Sequence, residues 1–144
     1  MAFLPPTTKH EYNGVLSAAW FLTFWSCGTI IPGLIHTFLP DGGAGVIAGL
    51  DLTQCGSRII GLFAWAGATQ IVWGIIMMVV STRNRSFVPL LLALVLLERT
   101  IMALNMWLLK NTQGHHSPEA YATLAMLPLI AFFLVLSLRH RSPQ

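Results

Sequence analysis

The sequence predicts an all-α integral membrane protein, a four-helix transmembrane bundle. Three observations predict it. Hydrophobic residues fill 55% of the 144 positions, charged residues only 9%, and the mean hydropathy is +0.69. A soluble domain carries about 25% charged residues, so this chain lacks the charge to cover a water-facing surface. The apolar residues also gather into four long stretches, with polar and glycine- or proline-rich segments between them. Finally, apolar residues run all round each stretch instead of along one stripe, the pattern expected when lipid is the solvent. The formal net charge is +3. The basic residues are scattered and form no nucleic-acid patch, which argues against nucleic acid as a partner.

The first stretch runs from Val15 to Phe38 and the second from Arg58 to Val80. The third runs from Phe87 to Leu109 and the fourth from Tyr121 to Leu138. Each is roughly 18 to 24 residues, and about 20 residues rising 1.5 Å each cross a hydrocarbon core of about 30 Å. Four soluble hairpin helices of this composition would have nothing to bury them. The first stretch does not read as a signal peptide. A polar lead with Pro5 and Pro6 precedes it, its apolar run is too long, and no small-x-small site follows. Cys27 after Ser26 does not read as a lipoprotein site, because Phe24 and Trp25 stand just before it. The expectation is a single transmembrane domain over 1–144.

Orientation follows the basic residues. An even number of spans puts both termini on one side, with Lys9, Arg83, Arg85, Arg139 and Arg141. The other side carries Arg58 and Lys110, with Asp41, Asp51 and Glu119. This places both termini and the 81–86 loop in the cytoplasm. The outer loop 39–57 is polar at its ends and apolar in the middle. It reads equally as an interfacial or re-entrant piece and as a loose connector.

Ionisable residues inside a span are costly and default to a functional reading. Glu98 and Arg99 fall at the centre of the third stretch, too deep to snorkel with ease. Adjacent helical residues point about 100° apart, so each is expected to find partners on a neighbouring helix. Asn105 lies two turns beyond Glu98 on the same face. Gln70 lies at a similar depth in the second stretch, flanked on one face by Gly67 and Gly74. Those glycines leave room for a close helix or for a bound molecule. Ser26 is central in the first stretch. Glu98, Arg99, Gln70, Asn105 and Ser26 are therefore the candidate ligand-binding residues, and Glu98 is the candidate catalytic residue. The competing reading is that these groups satisfy one another and set the bundle's register.

Other features carry less. Pro32 removes one backbone bond and frees the Gly28 carbonyl, which predicts a kink. His36, His115 and His116 are candidate metal ligands with Asp41, Asp51 or Glu119, but their spacing diagnoses no metal. Cys27 and Cys55 fall at different depths and read as free thiols. Trp20, Trp25, Trp65, Trp73 and Trp107 lie mostly within spans, and packing and lipid contact explain them more simply than an aromatic cavity. Gly61, Ala64 and Ala68 form a small-residue stripe suited to helix packing.

Taken as a whole, the chain resembles the small four-span bacterial proteins grouped as DoxX-like and BphX-like. The resemblance rests on the length, the long first outer loop and Arg58-Ile59-Ile60-Gly61 opening the second stretch. Gly67, Gly74 and Glu98-Arg99 add to it. It implies a bacterial inner membrane and quinone-linked oxidation, with a quinone as the cofactor. No catalytic residue is carried over from it. The leading expectation is a membrane protein that binds a lipophilic molecule, quinone or lipid-like, at a midplane polar pocket, within a redox or lipid-processing complex. In that reading Glu98 accepts a proton or hydrogen bond, and Arg99 holds an oxygen-bearing head or compensates Glu98. Gln70 and Asn105 orient the ligand. A structural subunit of a homo-oligomer or larger membrane complex is the second reading, and a small transporter the third.

Overall fold

The structure, a computed structural model, describes residues 6–110, 116 and 118–139. Among the described residues the chain is helical and contains no strand. Its long helices are α1 (Leu16–Phe38), α2 (Gly56–Thr82), α3 (Val88–Leu104) and α4 (Pro118–Leu138). A 3-10 turn, Arg85–Phe87, opens α3, and a π turn, Asn105–Leu109, closes it. Four helical segments, Leu16–Phe38, Gly56–Thr82, Arg85–Leu109 and Pro118–Leu138, are long and apolar enough to cross a membrane. Their outward faces carry Trp20, Phe24, Trp65, Leu97, Leu108 and Phe132, among other large apolar side chains. So much exposed apolar surface marks a membrane-facing exterior.

The helices extend beyond the apolar windows wherever polar residues can continue the turn. α2 begins at Gly56 and ends at Thr82, and α4 begins at Pro118. Pro118 suits a first turn because its missing N–H would lack an intrahelical partner there anyway. α1 continues through Pro32 and α4 through Pro128.

The described chain divides into two compact bodies, considered separately. One comprises Phe24–Met78; the other comprises the residues up to Thr23 and those from Val79 onward. Within the first body, α1 and α2 meet through glycine. A Cβ on Gly67 would lie 2.7 Å from the Gly33 carbonyl, His36 Cβ and Thr37 Oγ1. A Cβ on Gly74 would lie 3.1 Å from the Ser26 carbonyl. The glycines flanking Gln70 thus make a close helix crossing, and α1 occupies the room they leave. Gly61 faces open space instead, as does Gly28.

The 39–55 connection in this body is organised by one carboxylate. Asp41 accepts N–H bonds from Gly43 at 2.9 Å, Val46 at 2.9 Å and Gly45 at 3.1 Å. Gly42 and Gly43 take φ of 62° and 77°, where a side chain would be strained. His36 Nδ1 donates to the Gly42 carbonyl at 2.6 Å. These bonds fold the segment into successive turns around the buried Ala44, an ordered loop rather than a loose connector.

In the second body, Ala18, Ala19 and Leu22 of α1 contribute to a core with Val88, Leu91, Leu92 and Val95 of α3 and Ile130 of α4. Phe21 stacks on Phe133, with ring centroids 4.2 Å apart. The N-terminal segment is tied to the α2–α3 connection. Thr8 N–H and Thr7 Oγ1 both donate to the Arg83 carbonyl, and Asn84 Nδ2 donates to the Pro6 carbonyl.

Two outcomes follow. Gly67→Ala must push apart a backbone contact and is expected to destabilise by about 1–3 kcal/mol, the usual range for overpacking. Gly61→Ala meets nothing and should hold or raise stability by up to about 1 kcal/mol, because alanine is the better helix former. Thermal unfolding in one detergent compares the two. Separately, the N–H donors of Val46, Gly43 and Gly45 hold the Asp41 carboxyl below its ordinary value of 3.8. A depressed folded value means the contribution is whole above the unfolded value and fades as pH falls through the folded one. Asp41→Asn should speed hydrogen exchange at Gly43, Gly45 and Val46 at neutral pH. Unchanged exchange there would show that the carboxylate does not organise the loop.

Candidate functional site

The second body holds Glu98, Arg99 and Asn105. Their positions follow from the register of α3. Seven residues complete nearly two helical turns, so Glu98 lies above Leu91 and Arg99 above Leu92, both buried. The buried stripe of α3 therefore carries two ionisable groups where apolar residues would otherwise continue. Both are partly buried.

Arg99 reaches across to α4. Its guanidinium lies 3.4 Å from Glu119 Oε1, with the arginine side chain 13% exposed and the glutamate 44%. Glu119 sits in the first turn of α4, where a carboxylate also suits the helix dipole. The expected depth of Arg99 is thus bridged by the length of its side chain, and its charge is carried toward the helix end. Glu119, which the sequence had placed among the outer-loop charges, is a counter-charge to it.

Glu98 differs. Its Oε2 is buried and has no hydrogen-bond partner among the described residues. A buried acceptor left unsatisfied costs about 1–3 kcal/mol, and more when charged. Asn105 opens the π turn and donates from Nδ2 to the Ile101 carbonyl at 2.9 Å. The π turn is closed by Lys110 N–H bonding the Asn105 carbonyl at 2.8 Å. Such turns widen a helix by one residue and recur at functional sites.

One residue on α4 was missed by sequence reasoning. Thr123 is 2% exposed, and its hydroxyl has no hydrogen-bond partner among the described residues. Thr23, Thr29, Thr37, Thr69 and Thr100 all bond the carbonyl four residues back. Thr82 bonds the carbonyl three back, and Thr123 has no such bond among the described residues. The available signal was its spacing from Glu119, four residues on and so on the same face.

Beyond the π turn, Trp107 stacks on His116 with ring centroids 4.1 Å apart, and Tyr121 meets both edge-on. Trp107 also donates to the Ala120 carbonyl at 3.4 Å. His116 is thus packed among aromatic rings, and His115 lies outside the described residues.

The other candidates belong to the first body. Ser26 is fully buried and donates to Met78 Sδ at 3.6 Å. Gln70 is partly buried, and its Oε1 lacks a hydrogen-bond partner. His36 is engaged with Gly42 and packs edge-on against Phe63. Among the described residues no three His, Cys, Asp or Glu side chains gather as a metal site would require. Cys27 and Cys55 are both free thiols. Trp20 and Trp65 face outward, where lipid would cover them.

No family model, no curated protein and no solved structure matches this chain. The residues themselves therefore carry the functional reading.

The ion pair makes a measurable demand. Arg99 is nearly buried and Glu119 about half exposed, so the pair lies between the surface and buried limits. Glu119→Gln should cost about 1–3 kcal/mol by removing the negative charge 3.4 Å from the arginine. Replacing both, with Arg99→Leu and Glu119→Leu together, should recover most of that loss. A double-mutant cycle by thermal unfolding reads the coupling. Strictly additive single changes would show that the two do not interact.

Proposed function

We propose that this chain is a small integral membrane protein that holds a lipophilic molecule against the polar face of α3 at Glu98. One observation carries this reading: a carboxylate oxygen buried within an apolar span with no hydrogen-bond partner among the described residues. The alternative role for Glu98, as a register-setting group, calls for partners that satisfy it. Arg99 has such a partner in Glu119.

In this proposal Glu98 binds the polar head of the molecule. Arg99, held by Glu119, supplies a fixed positive charge one residue away. Asn105 and the π turn border the same face two turns further on. The apolar body would lie along Leu97, Ile101 and other outward-facing residues of α3. A quinone- or lipid-like molecule has this division into head and body, which agrees with the DoxX-like resemblance and with membership of a redox or lipid-processing complex. In the same proposal both termini lie on the cytoplasmic side of a bacterial inner membrane; the distribution of basic residues supports that orientation.

A second reading has its own observation. Gly61 faces open space on α2, and Ala68 on the same stripe is exposed. That surface would admit a second copy or another membrane subunit at close range.

Native mass spectrometry from nanodiscs separates the two readings. The ligand reading expects a stoichiometric lipophile mass on the wild-type protein, lost in Glu98→Leu. That variant should also keep or exceed the wild-type unfolding temperature, because the change removes no hydrogen bond made by Oε2. A variant that unfolds readily would make Glu98 a structural group. A ligand-free oligomer would move the weight to assembly.

A further inference from the structure

We infer that the head of the molecule held at Glu98 carries a hydroxyl, so that the site prefers an alcohol, phenol or quinol to the matching ether or oxidised quinone. The inference rests on the proposed lipophile site and adds the chemistry of its occupant.

The Oε2 of Glu98 is buried without a hydrogen-bond partner among the described residues. Ionised, a carboxylate only accepts; protonated, it also offers one O–H. A carbonyl or ether head only accepts, so it satisfies Glu98 in the protonated state alone. A hydroxyl donates to the ionised form and accepts from the protonated one. It is the neutral head that fits both states.

The surroundings favour the donor. The nearby positive charge of Arg99 is directed to Glu119, 3.4 Å away. Glu98 Oε2 itself receives no hydrogen bond from the described residues, and a hydroxyl on the occupant would supply that donor. Thr123, on the α4 face that carries Glu119, adds another buried oxygen without a hydrogen-bond partner. The requirement for an outside partner is thus not confined to one atom of this body.

Discrimination should be large. A site built to bond a substrate hydroxyl rejects the analogue lacking it more strongly than an apolar pocket rejects a missing methylene, because the buried polar group is left unpaired.

The test uses one pair of probes with the same apolar body, 4-nonylphenol and its O-methyl ether. Binding to the full-length protein in nanodiscs is followed by quenching of tryptophan fluorescence and expressed per mole of probe in the lipid. The phenol should bind at least about tenfold more tightly to the wild-type protein. That gap should vanish in Glu98→Leu and shrink in Glu98→Gln, whose amide oxygen still accepts. Circular dichroism confirms that each variant is folded, and Glu98→Gln serves alone if the leucine variant is not. Equal binding of phenol and ether would overturn the hydroxyl preference and leave the lipophile site standing. A gap that persists undiminished in a folded Glu98 variant would remove Glu98 from the site. Binding of neither probe would overturn the lipophile reading itself.

Discussion

A charged side chain within hydrocarbon must find a partner, and α3 carries two such side chains in succession. Everything distinctive about this protein follows from how they are satisfied. Arg99 is long enough to reach the first turn of α4, where Glu119 waits at 3.4 Å. This contact ties the polar part of α3 to the start of α4 and fixes the register between them. The neighbouring Glu98 carboxylate keeps a buried oxygen with no hydrogen-bond partner among the described residues, in a segment otherwise apolar enough to span a membrane. Packing energy must offset that deficit in the unliganded protein, and a bound head group would relieve it.

The remaining architecture serves close packing. Gly33, Gly67 and Gly74 bring α1 and α2 so close that backbone carbonyls and the side chains of Ile30, His36 and Ile71 occupy the space a Cβ would need. This suits a medium in which helices gain little from burying apolar area against one another, because lipid is equally apolar. The Asp41 loop ties down the α1–α2 connection with three backbone N–H bonds. The N-terminal segment is pinned to the α2–α3 connection by comparable bonds.

Much of this was legible in the sequence, for physical reasons. The four helices could be read because hydrophobicity sustained over a bilayer's thickness is a strong signal. Their ends were displaced wherever a polar turn continued the helix, as at Pro118 and Thr82. Gly67 and Gly74 could be placed on one face, but not assigned to a helix rather than a ligand, since that depends on what lies opposite. Glu98 and Arg99 stood out by depth alone. The partner of Arg99 did not, because that pairing needs the register of α3 against α4 and the reach of an extended guanidinium. Glu119 read as one more charge outside the spans. Thr123 gave little signal, since helical threonines usually bond the preceding turn and only coordinates reveal the exception. The role of Asp41 was hidden for a related reason: its donors are backbone groups, and residue identity does not announce them.

The proposed role of Glu98 depends on the contact that Arg99 makes with Glu119. Solid-state NMR in lipid bilayers, recoupling arginine guanidinium nitrogen to glutamate carboxyl carbon, tests it directly. The account predicts a through-space Arg99–Glu119 correlation that disappears in Glu119→Gln and survives in Glu98→Gln. A correlation lost in Glu98→Gln and retained in Glu119→Gln would contradict it, making Glu98 the arginine's partner and leaving no acceptor for a ligand.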